Sequence, residues 1–260
     1  PEAGSWPSIG NGSSTPFRGE FDGAGYNISN LYLKADSMYN GLFGNVGKGG
    51  LVHNVTIASG ELTASKACLG GVVGYLQDGT VDNCVNYATI RSTVESTNSA
   101  HSYCGGIVGE MYNLTTQTVV SNCVNYGAVT GSAGSIGGIV GLAFSGLQVN
   151  LPEEEAVGST LIRNCANHGL VTQTDESQQM NLVRGVAGIL GSGQRRLYIE
   201  NCVNTGKIVA MAYGYAGGIA GEINLLLIEG RIENCYNTGD VEATTIGGGL
   251  GGSISGSGTN

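Results

Sequence analysis

The apolar positions of this chain recur in short runs, and none follows the 3.6-residue spacing of a helix over ten or more residues. One element reads G-G-[IV]-[VA]-G and stands at Gly70–Gly74, Gly105–Gly109, Gly137–Gly141 and Gly217–Gly221. Looser copies stand at Gly41–Gly44, Ala187–Gly191 and Gly247–Gly251. The second element reads [VI]-x-N-C-x-N-x-[GA]-x-[VI] and is centred on Cys84, Cys123, Cys165, Cys202 and Cys235, with a cysteine-free copy at Asn54-Val55. Two elements alternating along one chain are the mark of a repeat architecture.

Columns within the second element show how the chain runs. Val52, Val81, Val120, Ile162, Ile199 and Ile232 form an apolar column, and the next position (His53, Asp82, Ser121, Arg163, Glu200, Glu233) reads as a solvent face. Residues three apart on a strand point to opposite faces, yet the Val and Cys columns both read as buried. The chain must bend between them. Asn54, Asn83, Asn122, Asn164, Asn201 and Asn234 lie at that bend, and Asn is the residue besides Gly best suited to a left-handed corner. Asn86, Asn125, Asn167, Asn204 and Asn237 mark the next corner, after which Ile90, Val129, Val171, Ile208 and Val241 return to the core.

Short strands, two Asn corners and a Gly-rich strand in each repeat predict an all-β fold, a parallel β-solenoid of about six to seven coils with an internal Cys ladder. Each coil buries its apolar side only by stacking on its neighbours. Residues 1–251 are expected to form one solenoid domain, with 1–40 as lead-in segment and first coil, and 252–260 as a flexible tail. Insertions are expected between Gly141 and Leu161, carrying Pro152-Glu153-Glu154-Glu155, and over Ser92–Tyr103 and Gln173–Arg184.

The opening Trp6-Pro7-Ser8-Ile9-Gly10, the stretch Phe17-Arg18-Gly19-Glu20-Phe21-Asp22-Gly23-Ala24-Gly25-Tyr26-Asn27-Ile28-Ser29-Asn30-Leu31 and Gly41-Leu42-Phe43-Gly44 resemble the GLUG-motif repeats of bacterial secreted and cell-surface proteins. Such repeats occur in adhesin-like proteins and in N-terminal regions of some immunoglobulin A1 metallopeptidases. The resemblance implies a right-handed parallel β-helix on an exported, extracellular protein. It carries no assigned activity.

Composition narrows the function classes. A formal net charge of −9 leaves no concentrated basic face for nucleic acid. No apolar run is long enough to span a bilayer as a helix. Seven cysteines cannot all pair internally. Five of them form a single column, which reads as core filling rather than a tetrahedral metal site. Cys68 and Cys104 each precede a Gly-Gly element, and a disulfide between them stays open. His53, His101 and His168 do not form a set, and neither H-E-x-x-H nor G-x-S-x-G occurs. No cofactor or metal is expected.

Carboxylates are the remaining catalytic candidates. Glu200 and Glu233 sit on neighbouring coils, Asp82 shares their column, and Glu110 and Glu222 follow the Gly element in distant coils. A solvated polar face is the simpler reading, and Asp22 reads as an Asx-turn residue. Twelve Tyr offer recognition surface. Tyr87 and Tyr126 share a column, with His168 in the same place, and Tyr112, Tyr198, Tyr213 and Tyr215 lie in or near connections. Tyr87, Tyr126, Tyr112, Tyr213 and Tyr215 are thus the ligand-binding candidates, with a host glycan or protein as the partner. The function expected is a non-catalytic extracellular module in adhesion or as a stalk. The alternatives are a carbohydrate-active β-helix enzyme or a substrate-positioning module of a secreted peptidase, with further domains on the full-length chain.

Overall fold

The computed structural model describes residues 4–66, 68–94, 102–132, 134–146, 158–174, 183–211, 214–224 and 230–255. Described elements are all strands, 35 in number, in five parallel sheets of seven. The first coil is β1 (Glu20–Asp22), β2 (Asn27–Ile28), β3 (Leu31–Ala35), β4 (Tyr39–Asn40) and β5 (Phe43–Val46). The last is β31 (Arg231–Glu233), β32 (Tyr236–Asn237), β33 (Val241–Ala243), β34 (Ile246–Gly248) and β35 (Gly251–Ser255). Each strand pairs with the strand five places on, so the chain winds as a parallel β-solenoid. We number the sheets one to five after the strands of the first coil. Gly252–Ser255, expected to begin a flexible tail, instead lie within β35 and pair with the preceding coil.

The sequence columns become physical columns. Val52, Val81, Val120, Ile162 and Ile199 are fully buried, as are Cys84, Cys123 and Cys202, with Cys165 nearly so. Both columns reach the core because the intervening Asn turns the chain: Asn54, Asn83, Asn122, Asn164, Asn201 and Asn234 have φ of 49° to 55°. The thiols help close this corner. Cys123 Sγ donates to Ser121 O at 3.0 Å, and Cys84, Cys165, Cys202 and Cys235 do the same two residues back at 3.2–3.3 Å. In the predicted solvent column Ser121 differs. It is buried, with its Oγ donating to Asp82 Oδ1 at 2.6 Å.

Asn164→Gly should be tolerated, whereas Asn164→Val should cost on the order of 1–3 kcal/mol, because a β-branched residue at positive φ is a steric outlier. Urea unfolding of the two variants checks this. Equal losses would show that the exposed amide, which donates to Asn122 Oδ1, outweighs the backbone.

The second Asn of the element does not work as a left-handed corner, because none of its copies has positive φ. Asn86, Asn125, Asn167 and Asn204 are instead fully buried and form an amide ladder. Each Nδ2 donates to the Oδ1 of the Asn one coil on, at 2.9, 2.8, 2.8 and 2.7 Å, and again to the carbonyl two residues ahead. A bend made this way needs no strained backbone.

The Gly-Gly element packs onto this ladder. A Cβ on Gly106, Gly138, Gly188 or Gly218 would fall 2.2–2.5 Å from the Cγ of Asn125, Asn167, Asn204 or Asn237. Only glycine permits that approach. The two sequence elements are therefore the two walls of one narrow waist, and the turn between sheets four and five points into the molecule.

Candidate functional site

A turn that points inward leaves a re-entrant notch on the outside, between sheets four and five. Its walls carry a small cluster separate from the main core, made of Cys68, Tyr103 and Leu142 with Tyr39 and Phe144 packed against it. Residues of sheet four meet residues of sheet five one coil further on. The Tyr39 and Tyr75 rings stack at 4.7 Å, Cys68 Sγ donates to Glu110 Oε2 at 3.1 Å, and Ser135 Oγ donates to Ser192 Oγ at 2.9 Å.

The rims of the notch are where the repeat varies. Sheets four and five are always joined by two residues, and from the second coil on sheets one and two are as well. The connections from sheet three to sheet four and from sheet five to the next sheet one hold the long insertions, Ser92 to Tyr103, Gln173 to Val183 and Ser145 to Thr160. Both kinds of connection border the notch. A rigid scaffold with variation confined to the rims of one cleft is the usual layout of a recognition surface.

Electrostatics inside the notch are unusual. Glu110 is pushed from the ordinary 4.5 up to about 7, because burial penalises the carboxylate more than the Cys68 hydrogen bond favours it. Burial also raises Cys68, and the neighbouring Glu110 charge adds to the effect. The thiol is therefore held protonated, the opposite of what a nucleophile requires. Tyr75 is raised by the same burial and by Glu110. From Tyr75 the ring series runs on through Tyr112 at 6.4 Å to Phe144 at 5.5 Å, where the Arg195 guanidinium sits 4.8 Å over the ring.

Of the ligand-binding candidates, Tyr112 and Tyr215 lie in this notch, on sheets five and four. Tyr213, in the connection leading to Tyr215, lies outside the described residues, as do His101 and Pro152–Glu155. Tyr87 and Tyr126 lie elsewhere, just past sheet two. Their rings stack at 4.7 Å with a 5° interplanar angle, and His168 continues the stack at 4.9 Å. Inside this stack the faces are spent on neighbours, so solvent meets mainly ring edges.

The open question of a Cys68–Cys104 disulfide is answered by register. Tyr103, not Cys104, lies opposite Cys68, so the two thiols are one residue out of step and point to opposite faces. Both are free. Cys104 faces the main core, where burial pushes its thiol up to about 12.

The carboxylates do not converge. Glu110 and Glu222 share a column but are separated by Leu142 and Ser192, three rungs or about 14 Å, beyond the roughly 5–9.5 Å of a glycosidase pair. Glu200 and Glu233 are in register but both are tied to Arg231, at 2.9 and 3.1 Å. Asp82 accepts from Ser121 and Asn122, and Asp22 closes an Asx turn by accepting from Ala24 N at 2.8 Å. Among the described residues no three His, Cys, Asp or Glu side chains form a metal-binding group.

Sequence reading passed over Asp78, whose signal was the Asp-Gly dipeptide. At φ 51° it accepts the N–H groups of Leu114, Thr115 and Thr116 at 2.8–3.1 Å and pins that connection beside the notch. Burial raises its pKa, but these hydrogen bonds outweigh burial and hold it below the ordinary value. Its stabilisation is therefore present at neutral pH and is lost as pH falls through the lowered pKa. Asp78→Asn should cost about 1–3 kcal/mol near pH 7 and progressively less in acid, checked by thermal melts across pH.

With this geometry in view, comparison with known proteins is informative. Residues 212–242 match the family model described as the GLUG motif. An 81-residue stretch is 33% identical to a protein named "Putative Gly-rich membrane protein" from Evansella cellulosilytica, covering 30% of this chain and 9% of that protein. The crystal structure of a "putative immunoglobulin A1 protease" from Bacteroides ovatus superposes with a TM-score of 0.60 at 22% identity, over 95% of this chain and 73% of that one. The chain is thus a β-solenoid of repeats that carries the GLUG motif. At that identity the solved structure speaks to the fold alone.

Proposed function

We propose that this chain is a non-catalytic repeat module of a bacterial cell-surface or secreted protein, acting in adhesion or as a scaffold, with the notch between sheets four and five as its recognition face. The observation that carries the reading is the confinement of long insertions to the two rims of that notch. Half-exposed Tyr112, Phe144 and Tyr215 line it, and Tyr supplies rigid, amphipathic area at low entropic cost. The GLUG motif and the Gly-rich relative support a place at or outside the cell surface. The separation of Glu110 from Glu222 supports a binding role over hydrolysis. A host glycan or an extracellular protein suits such a surface.

The test is a glycan and extracellular-protein array probed with the chain and with Tyr112→Ala, Tyr215→Ala and Tyr126→Ala. Binding should fall about tenfold in a notch variant, the loss of about 1.4 kcal/mol of contact, with the melting point held. Loss only in Tyr126→Ala would move the site to the ring stack. Polysaccharide cleavage abolished by Glu110→Gln would favour a carbohydrate-active enzyme instead.

A further inference from the structure

The two ends of the solenoid are finished differently. At the start, Trp6 N donates to Tyr32 O, Ile9 and Phe17 bridge to Phe43 and Val46, and the Phe17 ring packs 5.0 Å from Phe43. The lead-in segment thus covers free edges of β3 and β5, and Leu31, Leu33, Leu42 and Phe43 are buried.

The other end has no such cover among the described residues. β31–β35 each stand last in their sheets, leaving five free parallel edges. One coil earlier Ile199, Cys202 and Ile208 are fully buried, but their counterparts Ile232, Cys235 and Val241 are only partly so. Leu250 and Ile254 are 52% and 58% exposed. A depression of about 450 Å³ opens beside Asn237, Val241 and Ala243. Residues 256–260 cannot cover this face, because five residues reach at most about 18 Å and a coil needs five strands.

The amide ladder has a direction, and the direction says what fits. From Asn86 to Asn204 every Nδ2 donates to the next Oδ1 toward the C-terminus. At Asn237 the Oδ1 is used by Asn204, while Nδ2 donates only to Gly239 O. A donor therefore waits at the open end for an acceptor one rung on. A second copy placed end to end would bring donor against donor, and one placed head to tail would meet the lead-in segment. A parallel coil with an Asn in this column meets every requirement at once: acceptor, apolar columns and five strand edges.

We propose that the C-terminal end face is an assembly surface built to take one more coil of this same repeat, carried on the same polypeptide. This inference is independent of the notch. The half-buried Cys235 is its built-in reporter.

Thiol labelling of the 260-residue chain, mapped by peptide, should modify Cys235 about tenfold or more faster than Cys202, Cys165 and Cys123, by local opening at the end coil. Appending a copy of residues 197–224 after Ser255 should slow Cys235 to the rate of Cys202. The same extension with its ladder Asn changed to Val should protect it less. A second extension copied from residues 118–146 guards against one that does not fold, which circular dichroism would reveal by unchanged strand content. Cys235 as slow as Cys202 in the chain itself would overturn the proposal. So would two strand-forming extensions that leave Cys235 fast, or protection that rises with protein concentration, which would assign the face to a second copy.

Discussion

Glu110→Gln is expected to stabilise the protein by about 3 kcal/mol at about pH 8.5, and to leave it nearly unchanged at about pH 4. The carboxyl of Glu110 moves from the ordinary 4.5 to about 7 on folding because burial disfavours the anion. A raised carboxyl pKa means that the native state holds the proton more tightly than the unfolded chain. Its contribution is therefore complete below pH 4.5 and disappears as pH rises through 7. Each unit is worth about 1.4 kcal/mol, which over this interval gives about 3 kcal/mol. Gln keeps an acceptor for Cys68 Sγ and never ionises, so the variant escapes the penalty. Thermal melts from acid to mild base should diverge by several degrees, on the order of 5–10 °C at the basic end. A difference that is flat in pH would mean that the carboxylate reaches water in the native state.

The same residue shows where sequence reading stops. Glu110 and Glu222 follow the Gly element at the same offset, so their column and their separation are legible from the repeat. That Glu110 faces Cys68 is not, because the two lie 42 residues apart and meet across a one-coil offset between sheets four and five. The offset arises from the inward Gly-Gly turn, and what makes the turn point inward is the Asn ladder beneath it. Sequence shows glycines and asparagines recurring together but not that one set presses on the other. Cys68 and Cys104 show the related limit. Both precede a Gly-Gly pair, yet one sits two residues ahead of it and the other one, which places their side chains on opposite faces. By contrast, the Val, Cys and left-handed Asn columns were legible, because each depends only on local periodicity and one residue's tolerance of positive φ.

The largest loss is expected at Asn167, three residues from Asn164 and carrying the same side chain. In sequence both read as corner residues. The structure gives them opposite tasks: Asn164 is exposed with φ 54°, whereas Asn167 is fully buried at negative φ within the amide ladder. Asn167→Gly removes the acceptor of Asn125 Nδ2 and the donor to both Gly169 O and Asn204 Oδ1. Three buried polar groups lose a partner, each at about 1–3 kcal/mol, and Gly adds about 0.5–1 kcal/mol of backbone entropy. A loss of about 4–6 kcal/mol follows, a large share of the roughly 5–15 kcal/mol typical of a folded domain. Because each coil rests only on its neighbours, the damage should divide the stack. Hydrogen exchange should accelerate first in the strands flanking Asn167, and urea unfolding should separate into two transitions. Gly138→Ala should do similar harm from the opposite wall, since its Cβ would fall 2.3 Å from Asn167 Cγ. Asn164→Gly is the matched control, with one exposed amide pair lost and the left-handed corner kept. Equal losses at 164 and 167 would mean that the ladder contributes no more than the surface amides and that the waist is held by packing alone. A far larger loss at 167 would place the specificity of the fold in one buried column of asparagine, closed from the other side by glycine.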